Sequence, residues 1–453
     1  MLHIMSKFLE HKYTLPVILL AAFILRLIPA VAAISEPERL LRPDSAGYLE
    51  PAAALAENGT YPTTRRPPGY PLLAAAVYFA GGNNAVIALL QVLISTATCA
   101  VVYAAARHYA GKSCGSLAAA FMALNITAIA NTPLLLSDTL FALFAALQFL
   151  FFIRYSSSGK LRELLLCVTT AALAVLIRPI NQLFIIVLIF LLLVKNIHPV
   201  RIRVWHSLAA LGIFLLLIIP WMYRNYRCGA TFDIDTNTGA MRHQNGAMLM
   251  AKINHTDFES EKQKLLEIEN QKFPSGSNFS GREKEQWRKA EFRKMVMEHP
   301  FTYFFQHFDL HVLLPDAPTL MENFGTTSPN RGTMGVLKKD GIFAALKHYF
   351  GENWLIQVLF ILPLILPVLL LYLGDLAAIA GNIRNLKTAY PELLLFLAFA
   401  EYYLFLPGAI TAPRYQLPAL PCLCTIAAAA IIKYYRIWRK DESTAQITGN
   451  MEV

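Results

Sequence analysis

Asp44 and Asp138, together with Arg65, Arg66, Arg178 and Arg414, are the residues whose types and positions could do chemistry. A carboxylate beside a reacting hydroxyl can take its proton, and guanidinium groups can hold a departing phosphate in a bidentate grip. Carboxylates beside several arginines are thus what transfer from an anionic leaving group requires. Each residue alone has a simpler reading. Asp44 could cap the helix that begins at Ser45, Asp138 could be an interfacial residue, and the arginines could reach to lipid headgroups. Arg65 and Arg66 stand directly before Pro67-Pro68, whose restricted backbone can fix the direction of a basic side chain.

The elements that must position these residues are apolar. Of 453 residues, 56% are hydrophobic and 15% charged, and the apolar residues come in runs near bilayer-spanning length. A soluble enzyme is excluded on that balance. Candidate spans cover 15–34, 84–106, 114–130, 133–153, 163–177, 180–194, 206–223, 353–373, 391–407 and 414–432, so an all-α polytopic membrane protein with about ten transmembrane helices is expected. Basic residues fall at alternate ends of the runs, as the positive-inside rule requires: Lys7 and Lys12, Arg107 and Lys112, Arg154 to Arg162, Lys195 to Arg203, Arg384 and Lys387, and Lys433 to Lys440. That distribution accounts for the formal charge of +10 without nucleic acid as a partner. Arg66, Arg178 and Arg414 fall on the opposite face, where orientation does not explain them. The run Leu72 to Ala80 is too short to span and reads as a re-entrant or interfacial piece, and Arg178-Pro179 should split 163–194 into two helices.

This charge pattern divides the chain into an N-terminal transmembrane module, 1–225, with a first outer loop at 35–83. A mainly helical or mixed outer segment follows at 226–350, then C-terminal transmembrane helices at 351–440 and a tail at 441–453. Within the outer segment, polar helices are expected near Phe258–Lys272 and 282–298. The aromatic run Phe301 to Leu314 should lie on the membrane rather than cross it.

Other signals are weaker. Asp233-Ile-Asp235 is a DxD without a glycine loop or nucleotide fold around it. Glu401 is an intramembrane acid that could pair with Arg178 or Arg414. His243, His299, His307 and His311 lack tight metal spacing and read as surface residues. The cysteines, apart from Cys228, sit in or beside apolar runs as small hydrophobes. The Asn-x-Ser/Thr triplets at Asn58, Asn254 and Asn278 decide nothing.

Several segments, taken in order, resemble the GT-C fold glycosyltransferases that use polyprenyl-phosphate sugars, a family that includes protein O-mannosyltransferases and the lipid A aminoarabinose transferases. They are PDSAGYLEPA, YPTTRRPPGYPLL, LLLSDTLFALF, LIRPIN, PWMYRNY and APRYQLPALP. The resemblance implies an inverting transfer from a polyprenyl-phosphate sugar to an acceptor hydroxyl on lipid, glycan or protein, at the outer face of the cytoplasmic membrane and among its lipids. It implies Asp44 and Asp138 as catalytic acids, Asp44 as the base, and Arg66, Arg414, Arg178 and Arg224 at the donor phosphate. No cofactor is fixed by it. A divalent metal ion stays open, although Ser45 stands where some members carry a second acid. Two alternatives have similar needs: a transporter or flippase of lipid-linked sugars, and a glycan ligase or polymerase using a lipid-diphosphate donor.

Overall fold

The computed structural model describes residues 9–194, 197–237, 241–275, 279–326, 333–351, 354–382, 391–408 and 410–449. Lys7, Lys195, Arg384, Lys387 and Asn278 lie outside the described residues. Among those described, the chain is helical and contains no strand. The helices in order are α1 (Thr14–Ile34), α2 (Ala46–Asn58), α3 (Gly69–Phe79), α4 (Asn84–Ala110), α5 (Lys112–Leu124), α6 (Ile126–Asn131), α7 (Asp138–Ser158), α8 (Leu161–Val175), α9 (Phe184–Val194) and α10 (Val200–Arg227). The 226–350 segment then forms α11 (Ala247–Asn254), α12 (Phe258–Lys272), α13 (Gly281–Glu298), α14 (Pro300–Phe305), α15 (Ala317–Asn323) and α16 (Thr333–Phe350). The chain continues through α17 (Trp354–Asn382), α18 (Pro391–Phe405) and α19 (Leu420–Gly449).

Six of these, α1, α4, α7, α10, α17 and α19, are long and apolar enough to cross a membrane. Against the expectation of about ten spans, the described residues hold six helices of spanning length, with shorter apolar helices between them. One reason is visible at Asn125. Its backbone is extended and its side chain accepts from the Ala128 amide at 3.0 Å, so the apolar run 114–130 becomes two helices instead of one span. The break at Arg178-Pro179 falls where proline predicts it, between α8 and α9, with a 3-10 turn at Pro179–Leu183. Helix α3 has 11 residues, about 16 Å of rise, far short of a hydrocarbon core.

The core is built where α4, α5, α7, α8 and α19 pack through small side chains such as Ala105, Ala118, Ala145, Ala171 and Ala427. Five cysteines are buried among them and Cys228 is exposed. Arg26 on α1 is fully buried in this interior, a charge that the hydropathy pattern had hidden. Its guanidinium donates to Ser95 Oγ at 2.7 Å and to the carbonyls of Met122 and Ala123 at 2.9 and 3.0 Å. These are the orphan carbonyls at the end of α5, where the helix dipole favours a cation.

The polar helices α12 and α13 pair through Glu269, whose side chain is 4% exposed. Arg288 Nε donates to it at 2.8 Å, Lys284 Nζ lies at 3.1 Å and His243 Nε2 at 2.9 Å. Burial opposes ionisation, but these partners outweigh it and bring the carboxyl down to about 2. A folded value below the unfolded 4.5 means stabilisation that is present above pH ~4.5 and lost as pH falls toward 2. Glu269→Gln is expected to cost about 3–5 kcal/mol at neutral pH. Limited proteolysis of the 226–350 segment across a pH series would show it, the difference from the unmodified protein shrinking below pH 4.

Candidate active site

The first-loop residues are fixed by their own backbone. Asp44 makes no bond to the helix it precedes: α2 starts without a side-chain cap, and the Asp44 carboxylate turns instead to Arg66 Nη2 at 2.6 Å. Arg66 lies across the Tyr48 ring, 4.7 Å from its centroid. It crosses α2 at Gly47, where a Cβ would stand 3.2 Å from Arg66 Nε. Tyr61 donates its hydroxyl to the carbonyls of Arg66 and Pro67 at 3.0 and 3.2 Å, so the Arg-Pro-Pro turn is held from below.

The turn at Leu176–Pro179 docks directly on this one. Gly69 donates its amide to Leu176 O at 2.7 Å, and a Cβ at Gly69 would meet Ile177 Cγ1 at 2.6 Å and that carbonyl at 2.8 Å. Only glycine permits the approach. Gly69→Ala should therefore push apart the turns that carry Arg66 and Arg178. It is expected to cost about 1–3 kcal/mol of stability and about a hundredfold in activity, read from thermal midpoint and turnover together. Beyond the turn, Asn181 is fully buried. It donates to Gln148 Oε1 at 3.1 Å and accepts from the Tyr403 hydroxyl at 2.7 Å, locking α7, α18 and the Arg178 turn together.

Arg178 forms an ion pair with Asp138 at the start of α7. Its guanidinium also lies 5.4 Å from the Tyr415 ring. Arg414 approaches from the loop before α19, with Nη2 3.7 Å from the second Asp44 oxygen. Its Nε is buried and has no partner. Gln416, two residues on and fully buried, donates to the Val312 and Leu314 carbonyls at 2.9 and 3.1 Å and so fixes the Arg-Tyr turn. Asp44, Arg65, Arg66, Asp138, Arg178 and Arg414 thereby line one cavity of about 1150 Å³.

Arg224 is placed elsewhere. It donates to Thr63 O at 2.7 Å and to the Tyr61 carbonyl, and lies over the Tyr61 and Trp221 rings. It braces the loop behind Arg66 and does not line the cavity. Glu401 is exposed on α18 and does not line it either. Two histidines read as surface residues are not: His307 is buried against Phe405, and His243 lines the cavity.

The far wall comes from the 226–350 segment: Asp235, Asn237, His243, Gln244, Asn245 and Arg288 all face the cavity. The DxD splits: the chain bends at 232–234, so its two acids part. Asp233 pairs with Lys289, whereas Asp235 faces inward and has no cation within 4 Å among the described residues. Burial raises the Asp235 carboxyl to about 6, with Arg66 opposing and Asp233 adding to the rise. Among the described residues no three His, Cys, Asp or Glu side chains cluster to hold a metal ion. Asp44 and Asp138 are each turned to an arginine, so the donor set does not fit a resident metal.

The fold is that of GT-C membrane proteins. The apo oligosaccharyltransferase of Archaeoglobus fulgidus superposes with a TM-score of 0.54 at 15% identity, over 96% of this chain and 52% of that one. The archaeal oligosaccharyltransferase AglB from Archaeoglobus fulgidus, in complex with an inhibitory peptide and a dolichol-phosphate, gives 0.50 at 13% identity over the same shares. The chain thus spans about half the length of these proteins. Residues 65–223, which carry Arg65, Arg66, Asp138 and Arg178, match the family described as dolichyl-phosphate-mannose-protein mannosyltransferase. No curated protein matches the chain. The matching family and both solved structures are glycosyltransferases by description, in agreement with the resemblance of the motifs.

Proposed function

We propose that the chain is an inverting glycosyltransferase that moves a sugar from a polyprenyl-phosphate donor to an acceptor hydroxyl, at the outer face of a cytoplasmic membrane. The observation that carries this reading is the convergence of three turns, distant in sequence, that bring Arg66, Arg178 and Arg414 to one cavity with Asp44 and Asp138. Three guanidiniums outnumber the two carboxylates beside them, and the excess positive charge suits a phosphate leaving group. Asp44 accepts the proton of the attacking hydroxyl, the hydroxyl oxygen bonds to the anomeric carbon from the face opposite the phosphate, and the carbon–oxygen bond to phosphate breaks with its electron pair. Arg414, whose nearest carboxylate stands at 3.7 Å and whose Nε is unpartnered, is less tightly paired than Arg66 or Arg178 and is the first of the three to meet that phosphate. Asp138 holds Arg178 in place.

Purified protein supplied with a polyprenyl-phosphate monosaccharide, and separately with a polyprenyl-diphosphate oligosaccharide, tests the reading. Transfer of the monosaccharide with inversion is expected. Transfer of the oligosaccharide alone points to a ligase or polymerase. Movement of either lipid across a vesicle bilayer without transfer points to a flippase.

A further inference from the structure

The arginine wall of the cavity accounts for the donor, but the opposite wall has been given no role. It is built on Asp235, Asn237, His243, Gln244 and Asn245. Asp235 differs from the other acids around the cavity. Asp44 and Asp138 are clamped by arginines, and Glu285 accepts from the Thr231 hydroxyl at 3.0 Å; Asp235 alone presents a carboxylate with no side-chain partner.

Its position is held from both sides. Trp221 Nε1 and Asn225 Nδ2 donate to Ile234 O at 2.9 and 3.0 Å. The Thr236 amide donates to Thr64 O at 3.0 Å, next to the Arg65-Arg66 turn. A half-buried acid fixed this firmly, with no side-chain hydrogen bond, and raised to about 6 because burial outweighs the opposing charge of Arg66 and the backbone hydrogen bond from Asn237, is a site that can take a further donor. Beside it a widened π turn, Met241–Gly246, directs three successive side chains, His243, Gln244 and Asn245, to the cavity. The amides of Gln244 and Asn245 make no hydrogen bond to other described residues.

We propose that this wall is the acceptor subsite and that Asp235 accepts a hydrogen bond from a second hydroxyl of a polyol acceptor, so that the acceptor is a sugar ring rather than a serine or threonine side chain. Resting on the donor assignment above, the inference follows from hydrogen-bonding capacity. A carboxylate and two free amides offer donors and acceptors to several hydroxyls at once, which a single side-chain hydroxyl cannot use.

The full-length protein in nanodiscs, with a polyprenyl-phosphate monosaccharide as donor, tests this against a panel of methyl glycosides and a Ser/Thr-containing peptide. Asp235→Asn, which keeps an acceptor oxygen but loses its charge, is expected to raise the KM of the best glycoside about 5- to 10-fold, with kcat at saturating acceptor and donor KM changed less than threefold; Asn245→Ala should raise acceptor KM about fivefold. An unmodified protein that glycosylates the peptide in preference to every glycoside overturns the inference. So does an Asp235→Asn variant whose acceptor KM stays within twofold, or one that loses kcat without a change in KM. Failure of the unmodified protein to transfer sugar to anything would instead reject the donor assignment beneath it.

Discussion

Replacing Asp44 by Asn is expected to lower the rate of sugar transfer about 10²- to 10⁴-fold while leaving the affinity for the lipid donor unchanged or slightly raised. The two effects separate because Asp44 does two things. Its Oδ1 accepts from Arg66 at 2.6 Å, and the amide oxygen of Asn can still do so, which keeps the Arg-Pro-Pro turn where it is. What Asn cannot do is take a proton. Removing the negative charge also leaves Arg66 and Arg414 less neutralised, so a donor phosphate meets more positive charge than before. Arg414→Ala should show the reverse pattern, with weaker donor binding, because its guanidinium is held only loosely within the protein, 3.7 Å from Asp44 and 5.5 Å from the Tyr415 ring centroid. Donor binding by equilibrium titration and transfer under single-turnover conditions would measure both. Wild-type transfer by the Asp44→Asn protein would mean that another group accepts the proton.

The same pair suggests how donor and base are linked. Arg66 and Arg414 flank Asp44 on two sides. An incoming phosphate competes for those guanidiniums through charge-assisted bonds of the same kind, and as they turn toward it they free the carboxylate oxygens for the acceptor hydroxyl. Donor binding should therefore precede productive acceptor binding, which initial-rate kinetics with both substrates varied would show.

Much of the arginine wall was legible in the sequence because its residues break a rule. Arg66, Arg178 and Arg414 carry charge where membrane orientation does not call for it, and each stands beside a proline that fixes a turn. The opposite wall was not legible. Asp235 and His243 come from a polar segment in which acids and histidines are ordinary, and Asp235 is held beside the Arg65-Arg66 turn through Trp221, Asn225 and Thr64, contacts that spacing does not reveal. The DxD drew attention for its spacing, yet spacing does not reveal that Lys289 takes one acid and leaves the other free. Arg224 shows the converse. Its place in a motif suggested the phosphate, but two carbonyls of the 61–63 loop claim its guanidinium. Hydropathy reads apolar character and not the local break that Asn125 imposes, so the apolar run 114–130 holds two short helices among the described residues.

Arg178 and Asp138 give the second large effect. The Asp138 side chain is 7% exposed and that of Arg178 23%, so removing one partner leaves the other a poorly hydrated charge at the cavity wall. Arg178→Leu is expected to destabilise the protein by about 3–5 kcal/mol, seen as faster inactivation on heating in detergent. Lost activity in that variant would say little, since the fold itself is weakened. Combining Asp138→Asn with Arg178→Met separates the roles. Neither residue then leaves a buried charge, the stems still pack against Phe141 and Tyr415, and most of the stability should return. If Arg178 also faces the donor phosphate, transfer stays at least a hundredfold low in this stable double variant. If the pair only ties α7 to the Arg-Pro turn, transfer recovers with the fold. Arg178→Lys adds the last discrimination: it keeps the charge beside Asp138 but loses the fork that can hold a carboxylate and a phosphate oxygen together, so stability should hold while donor affinity falls.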